Sequence, residues 1–126
     1  MKNYQITLNE HQLRLIADCI EDCSRFLAGQ TEMWNTISQL KDFPICRDKL
    51  EGLHFFVTPN LERGASYGWS GGDCPVEWQR KRIAETYYLY RTMLYALHKD
   101  DKEWNVYTSP ALRCDDSGEV IKIEEV

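Results

Sequence analysis

Two stretches of this chain repeat apolar residues at intervals of three and four, and that periodicity constrains the fold more than any other feature. Leu13, Ile16, Ile20, Cys23 and Leu27 form the first stripe, and Ile83, Tyr87, Tyr90, Leu94 and Leu97 form the second. Spacing of this kind places side chains on one face of an α-helix, so both stretches predict amphipathic helices that bury one side. Asn9 is positioned as the cap of the first. Gln12 stands three residues later, as a capping box requires, and Glu10 sets a carboxylate against the positive end of the helix dipole. Gly29 ends that helix. The longer one is predicted to start at Asp73 or Cys74, just before Pro75, and to run to about His98.

Between them, Thr31 caps a predicted short helix through Met33, Trp34 and Ile37 towards Leu40, and Pro44 opens another that ends near Gly52. Residues 63–72 read as a loop, since Gly64, Gly68, Gly71 and Gly72 fall there. A purely flexible linker would not also carry Tyr67 and Trp69, so a packed or ligand-covering loop is expected. Tyr4 to Leu8, Trp104 to Tyr107 and Val120 to Ile123 alternate side-chain character or are rich in strand formers and predict strands, the last two separated by the turn residues Asp115-Asp116-Ser117-Gly118. The resulting expectation is an α+β fold: three to four helices with a small antiparallel sheet formed by the N- and C-terminal strands. At 126 residues the chain reads as a single domain, 1–126.

Charge and composition exclude some classes of function. No apolar run approaches the roughly 20 residues that span a bilayer, and no basic segment followed by an apolar one opens the chain, so a soluble, unexported protein with no membrane partner is expected. The formal net charge of −5 argues against a generic duplex-binding surface. That acidity is uneven. Residues 115–126 hold Asp115, Asp116, Glu119, Glu124 and Glu125 against Lys122 alone, which leaves the rest of the chain near neutral and able to hold a small anion. The five cysteines, Cys19, Cys23, Cys46, Cys74 and Cys114, cannot all pair internally and show no short Cys-x-x-Cys spacing. They are expected to be small buried thiols in a reducing compartment, with no metal or cofactor.

Candidate catalytic residues are few. His11, His54 and His98 are dispersed, and surface or cap positions are expected for them. Gly64-Ala65-Ser66-Tyr67-Gly68 imitates a nucleophile elbow without the strand and helix that the elbow needs, and no base partner is in view. Acid pairs such as Glu21-Asp22 point apart on a helix and read as solvated surface. What remains is an inventory of rings and guanidinium groups: Arg63, Tyr67 and Trp69 in the loop, and Arg80, Lys81, Arg82, Tyr87, Tyr88, Tyr90, Arg91 and Tyr95 on the long helix. Rings stack on bases and Arg forks hold phosphate oxygens, so the set suits a nucleotide or another flat anion. The same residues also serve as ordinary core and wetted surface, and the sequence leaves both readings open.

Several segments together are similar to a family of small proteins of tailed phages and prophages. They are Ser24-Arg25 with Gly29-Gln30, Ala65-Ser66-Tyr67-Gly68-Trp69, and Tyr87-x-Leu89-Tyr90-Arg91. The chain departs from the pattern at Tyr88, where members carry Asp, and at Leu94-Tyr95, where they carry Arg-His. The resemblance implies an anti-defence protein of the bacterial host cytoplasm that sequesters a nucleotide-derived immune signal, a cyclic nucleotide or an ADP-ribose derivative, without turnover. The expected ligand residues are Arg25, Arg63, Ser66, Tyr67, Trp69, Tyr87, Tyr90 and Arg91, in a homo-oligomer with pockets near subunit contacts. Two alternatives stand beside it: a protein–protein module that inhibits a host or phage enzyme, and a small nucleotide hydrolase.

Overall fold

The computed structural model describes residues 1–28, 49 and 74–126. Within them, helix α1 spans Glu10–Leu27 and helix α2 spans Glu77–His98. The start of α1 follows its sequence: Asn9 Oδ1 accepts from the Gln12 backbone N–H at 2.8 Å, and Gln12 Oε1 accepts from the Asn9 N–H at 3.0 Å. Two of the four N–H groups that a helix start leaves unbonded are thereby satisfied. Helix α2 begins two to three residues later than its predicted cap. Val76 holds extended backbone at the boundary and offers no side-chain cap. The first turn is supported instead by Glu77, which pairs with Lys81 at 2.8 Å one turn on.

The two helices run antiparallel. Gln79, in the first turn of α2, donates its Nε2 to the Leu27 carbonyl at the end of α1 at 2.9 Å, while Arg14 near the start of α1 meets His98 at the end of α2. Their seam is lined with small residues on the α1 side: Ala17, Ser24 and Ala28 are fully buried. Ser24 Oγ donates to the backbone carbonyl of Ile83 at 3.4 Å, which places one helix surface directly on the backbone of the other. Tyr90, fully buried, and Leu94 fill the seam from α2, with Ile20, Tyr87, Met93, Leu97 and Tyr107 packed around them.

The predicted stripe of α1 is therefore rotated. Ile16 is 38% exposed and Cys23 is exposed, whereas Ala17 and Ser24, which bulk hydrophobicity passes over, make the contact. A close helix crossing favours side chains that let backbones approach, so large apolar residues alone do not mark its centre. The stripe of α2 holds, with an addition. Ala84, Tyr88 and Arg91 are buried on a further face of the same helix.

That face is covered by the chain after His98, which doubles back along α2. Arg91 bonds the backbone at 106 and 109, the Arg113 guanidinium lies 5.3 Å from the Tyr88 ring centroid, and Arg80 pairs with Asp116 at 3.0 Å. The covering segment is not a sheet. Among the described residues there is no strand, and the expected α+β fold gives way to a helical one. The reasons are local. Tyr4 to Leu8 takes neither helix nor strand, and no backbone hydrogen bond among the described residues joins it to the 118–126 segment. Asn105 Oδ1 takes the Tyr107 N–H at 2.9 Å and winds Val106–Thr108 into a 3₁₀ turn, a side-chain bond outcompeting a ladder. Ile121 gives its N–H to the Tyr88 hydroxyl at 3.3 Å rather than to a neighbouring strand.

The turn expected at 115–118 does form. Asp115–Ser117 make a second 3₁₀ turn, closed by Ser117 Oγ accepting from the Cys114 N–H at 3.0 Å, and Gly118 follows at φ +80°, a conformation that side-chain-bearing residues rarely adopt. The thiols depart from expectation: Cys74 is buried, but Cys19, Cys23 and Cys114 are free and exposed. The helices predicted over 31–40 and 44–52 lie outside the described residues, except that Lys49 is helical, and so do the 63–72 loop, Cys46 and His54. No described helix is long and apolar enough to cross a membrane.

Candidate functional site

The polar groups that α1 and α2 draw together gather around Tyr107. Helix α2 presents Arg91, whose residue is only 6% exposed. Its Nη2 donates to the Val106 carbonyl at 2.8 Å and to the Ser109 carbonyl at 3.3 Å, and its guanidinium carbon lies 5.3 Å from the Tyr107 ring centroid. Burying a guanidinium is costly unless its donors are used and its charge is faced by electron-rich groups, here two carbonyls and a ring. Nη1 of the same group is buried and has no acceptor among the described residues.

Helix α1 supplies the other side. Glu21 and Arg25 stand one turn apart, and Arg25 grips Glu21 Oε1 with both Nε, at 3.0 Å, and Nη2, at 2.9 Å. The Tyr107 hydroxyl donates to the same oxygen at 3.5 Å. Burial pushes the Tyr107 phenol above the ordinary tyrosine range, and the nearby Glu21 carboxylate adds to the rise. A phenol held protonated in this way donates a hydrogen bond and is a poor base.

His98 closes the site at the end of α2, its ring 5.7 Å from that of Tyr107. Arg14 Nη1 lies 3.1 Å from His98 Nε2, and Asp101 Oδ2 lies 2.8 Å from Nδ1. Since a guanidinium only donates, Nε2 is the acceptor and Nδ1 carries the proton that goes to Asp101. The hydrogen bond from His98, followed by one from Asn105, holds the Asp101 carboxyl below the usual carboxylate range. His98 is thus bound at both ring nitrogens, and no serine or cysteine bonds to it among the described contacts. The arrangement supplies cations, donors and an aromatic face, together with the carboxylates of Glu21 and Asp101. Among the described residues it assembles no nucleophile with a base. Nor does any described group of three or more His, Cys, Asp or Glu side chains stand where it could hold a metal ion.

The expected ligand set is divided by the structure. Arg25 and Arg91 both border Tyr107. Tyr90 is core, and Tyr87 packs edge-on against it with ring centroids 5.8 Å apart. Arg63, Ser66, Tyr67 and Trp69 lie outside the described residues. Two residues central to the site were not among the expected ones: Tyr107, assigned to a strand, and Glu21, assigned to solvated surface. The Glu21–Arg25 pair has a usable signal in its spacing of four, and Tyr107 has none beyond its neighbour Asn105.

A second concavity lies away from this site. A cleft of about 550 Å³ opens between residues 4–8 and 121–126, floored by Leu13 of α1 and by Leu89 and Met93 of α2. Comparison with protein-family models, with curated proteins and with solved structures finds no match to the chain.

Proposed function

We propose that this chain works by binding without turnover, and that its ligand is a small phosphate-bearing molecule of the nucleotide-derived class, a cyclic nucleotide or an ADP-ribose derivative. Arg91 carries the reading: a buried guanidinium whose Nη1 lacks an acceptor among the described residues, beside the Tyr107 ring and near Arg25. A phosphate oxygen would complete that fork, and a planar base finds a ring in Tyr107. Around Tyr107 the cations of Arg91 and Arg25 stand with the Glu21 carboxylate, which already holds Arg25, so a phosphate would compete with Glu21 for Arg25 and meet Arg91 directly. The biological setting proposed is anti-defence in a bacterial host cytoplasm, following the likeness to small phage proteins.

Calorimetric titration with cyclic dinucleotides and ADP-ribose tests the reading. Binding without product formation is expected, with affinity at least tenfold weaker in Arg25→Gln, about the order lost with one charged hydrogen bond. No heat across both ligand types overturns it.

A protein–protein module is the second reading, favoured by Trp104 at 80% and Trp78 at 63% exposure. Tryptophan is enriched among residues that dominate interface energies. Stoichiometric capture of one enzyme from a bacterial lysate, lost in Trp104→Ala, decides for it.

A further inference from the structure

We infer that His98 is a proton-controlled latch: as a neutral imidazole it ties the start of α1 to the end of α2 through Arg14, and one proton taken up at Nε2 releases Arg14 while Asp101 keeps hold of the ring. Arg14 Nη1 and His98 Nε2 lie 3.1 Å apart, although the two residues stand 84 positions apart in the chain. A guanidinium carries donors alone, so this contact exists only while Nε2 keeps its lone pair. Once Nε2 carries a hydrogen, two donors and two positive charges face each other, and the contact turns from attraction to repulsion. Arg14 is the partner that leaves. Its side chain is 41% exposed, and Glu10, 4.0 Å away one turn earlier in α1, offers it a carboxylate. At the other end of the helix pair, Gln79 donates to the Leu27 carbonyl, a bond in which neither group titrates, so the response to pH is confined to the His98 end.

The second nitrogen of the ring behaves in the opposite way. Nδ1 lies 2.8 Å from Asp101 Oδ2 and donates to it whether the ring is neutral or charged, and the bond strengthens when the ring is cationic. Asp101 is held below the usual carboxylate range, first by His98 itself, so it stays ionised over the interval in which imidazoles ordinarily titrate. Asn105 Nδ2 steadies the same oxygen at 3.2 Å. From the covering segment the ring meets Tyr107, whose phenol burial keeps protonated in that interval. Glu21 reaches only the hydroxyl end of Tyr107, and Arg91 lies over the Tyr107 ring. Among these groups the imidazole is the one whose ordinary titration falls between about pH 5 and 8. The His98 side chain is 23% exposed, so the proton comes directly from solvent.

Nuclear magnetic resonance of the full chain, from about pH 8 to about pH 5, provides the test. At the upper end the ring nitrogen shifts should show Nδ1 protonated and Nε2 bare. As Nε2 takes up its proton, amide protection at residues 13–17 should fall about two- to fivefold, the amount that one partly exposed polar tie contributes, with protection around Gln79 unchanged. His98→Gln supplies an amide oxygen that can accept from Arg14 and does not titrate, so protection at 13–17 should stay level with pH. Arg14→Met should show the low value at every pH. A ring that carries its single proton on Nε2 at pH 8 overturns the inference, and so does a fall in protection that persists in Arg14→Met. Both ring nitrogens are read in the unaltered chain, so the test does not depend on either variant.

Discussion

Replacing Arg91 with Met tests whether the structure around Tyr107 is held by its guanidinium or merely tolerates it. Methionine preserves most of the length and the apolar stem but removes every donor. The Nη2 bonds to Val106 at 2.8 Å and to Ser109 at 3.3 Å disappear, and so does the cation over the Tyr107 ring at 5.3 Å. A hydrogen bond from a charged donor contributes about 1.5 to 3 kcal/mol, the longer one falling at the low end, and a partly desolvated cation–π contact adds about 1 kcal/mol. Against this stands a gain, because the thioether that replaces the guanidinium has no buried nitrogen to leave unpaired as Nη1 is, a defect that costs about 1 to 3 kcal/mol. Taking the middle of each range, the net expectation is a loss of about 2 to 3 kcal/mol, a large fraction of the stability of an ordinary domain. With a urea slope near 2 kcal/mol/M, the unfolding midpoint falls by about 1 to 1.5 M. Hydrogen exchange locates the damage: the amides of Val106–Thr108 should lose protection before those in the middle of α1. A midpoint equal to or above wild type refutes the reasoning. So does a loss of stability that leaves protection at 106–108 unchanged, since that would make Arg91 a packing residue of α2 and not the tie that holds the covering segment.

Three further outcomes follow from the same geometry. Ala17→Leu inserts bulk into a fully buried position where the helices nearly touch, so it should cost about 1 to 3 kcal/mol by denaturant unfolding, while Ile16→Leu next to it should be near neutral. Tyrosinate absorbance should show Tyr107 ionising later than free tyrosine, and Glu21→Gln should lower its midpoint. Because the folded pKa of Tyr107 is raised, its contribution to stability is complete below the unfolded value near 10 and is lost as pH rises through the folded one. Asp101 behaves in the opposite sense: its folded pKa is depressed, so its contribution is present above the ordinary value of 3.8 and lost as pH falls through the folded value, and carboxyl chemical shifts should show a lower midpoint that rises in Asn105→Ala.

How much of this was legible depended on the range of the interaction that decides each element. The cap at Asn9 and Gln12 is settled within four residues, so sequence and structure agree there. The turn at 115–118 is settled the same way by Ser117 and Gly118. The burial of Ser24 depends on Ile83, and the second buried face of α2 depends on Arg91 reaching residues 106 and 109. Neither partner is visible in a window around the residue itself. The three expected strands failed for a related reason. Alternation in Tyr4 to Leu8 specifies which side chains share a face, but a strand also needs an edge to pair with, and Tyr88 and Asn105 take the amides that could have supplied one.

Helix α2 is consequently asked to bury two faces at once, and that shapes what the site can be. Its Tyr90 face meets α1 across small residues with Ser24 bonded to its backbone, while its Arg91 face meets a segment with no ladder of its own among the described residues, whose carbonyls at 106 and 109 need donors. A guanidinium satisfies both carbonyls and overhangs Tyr107, and its geometry leaves one nitrogen over. The structural role of Arg91 and the binding role proposed for it are therefore coupled: the bonds that hold the 106–109 segment are the bonds that aim Nη1. A ligand phosphate completing the fork would add to the same network. Binding should then raise the exchange protection of Val106–Thr108, and a ligand that binds without doing so is bound elsewhere.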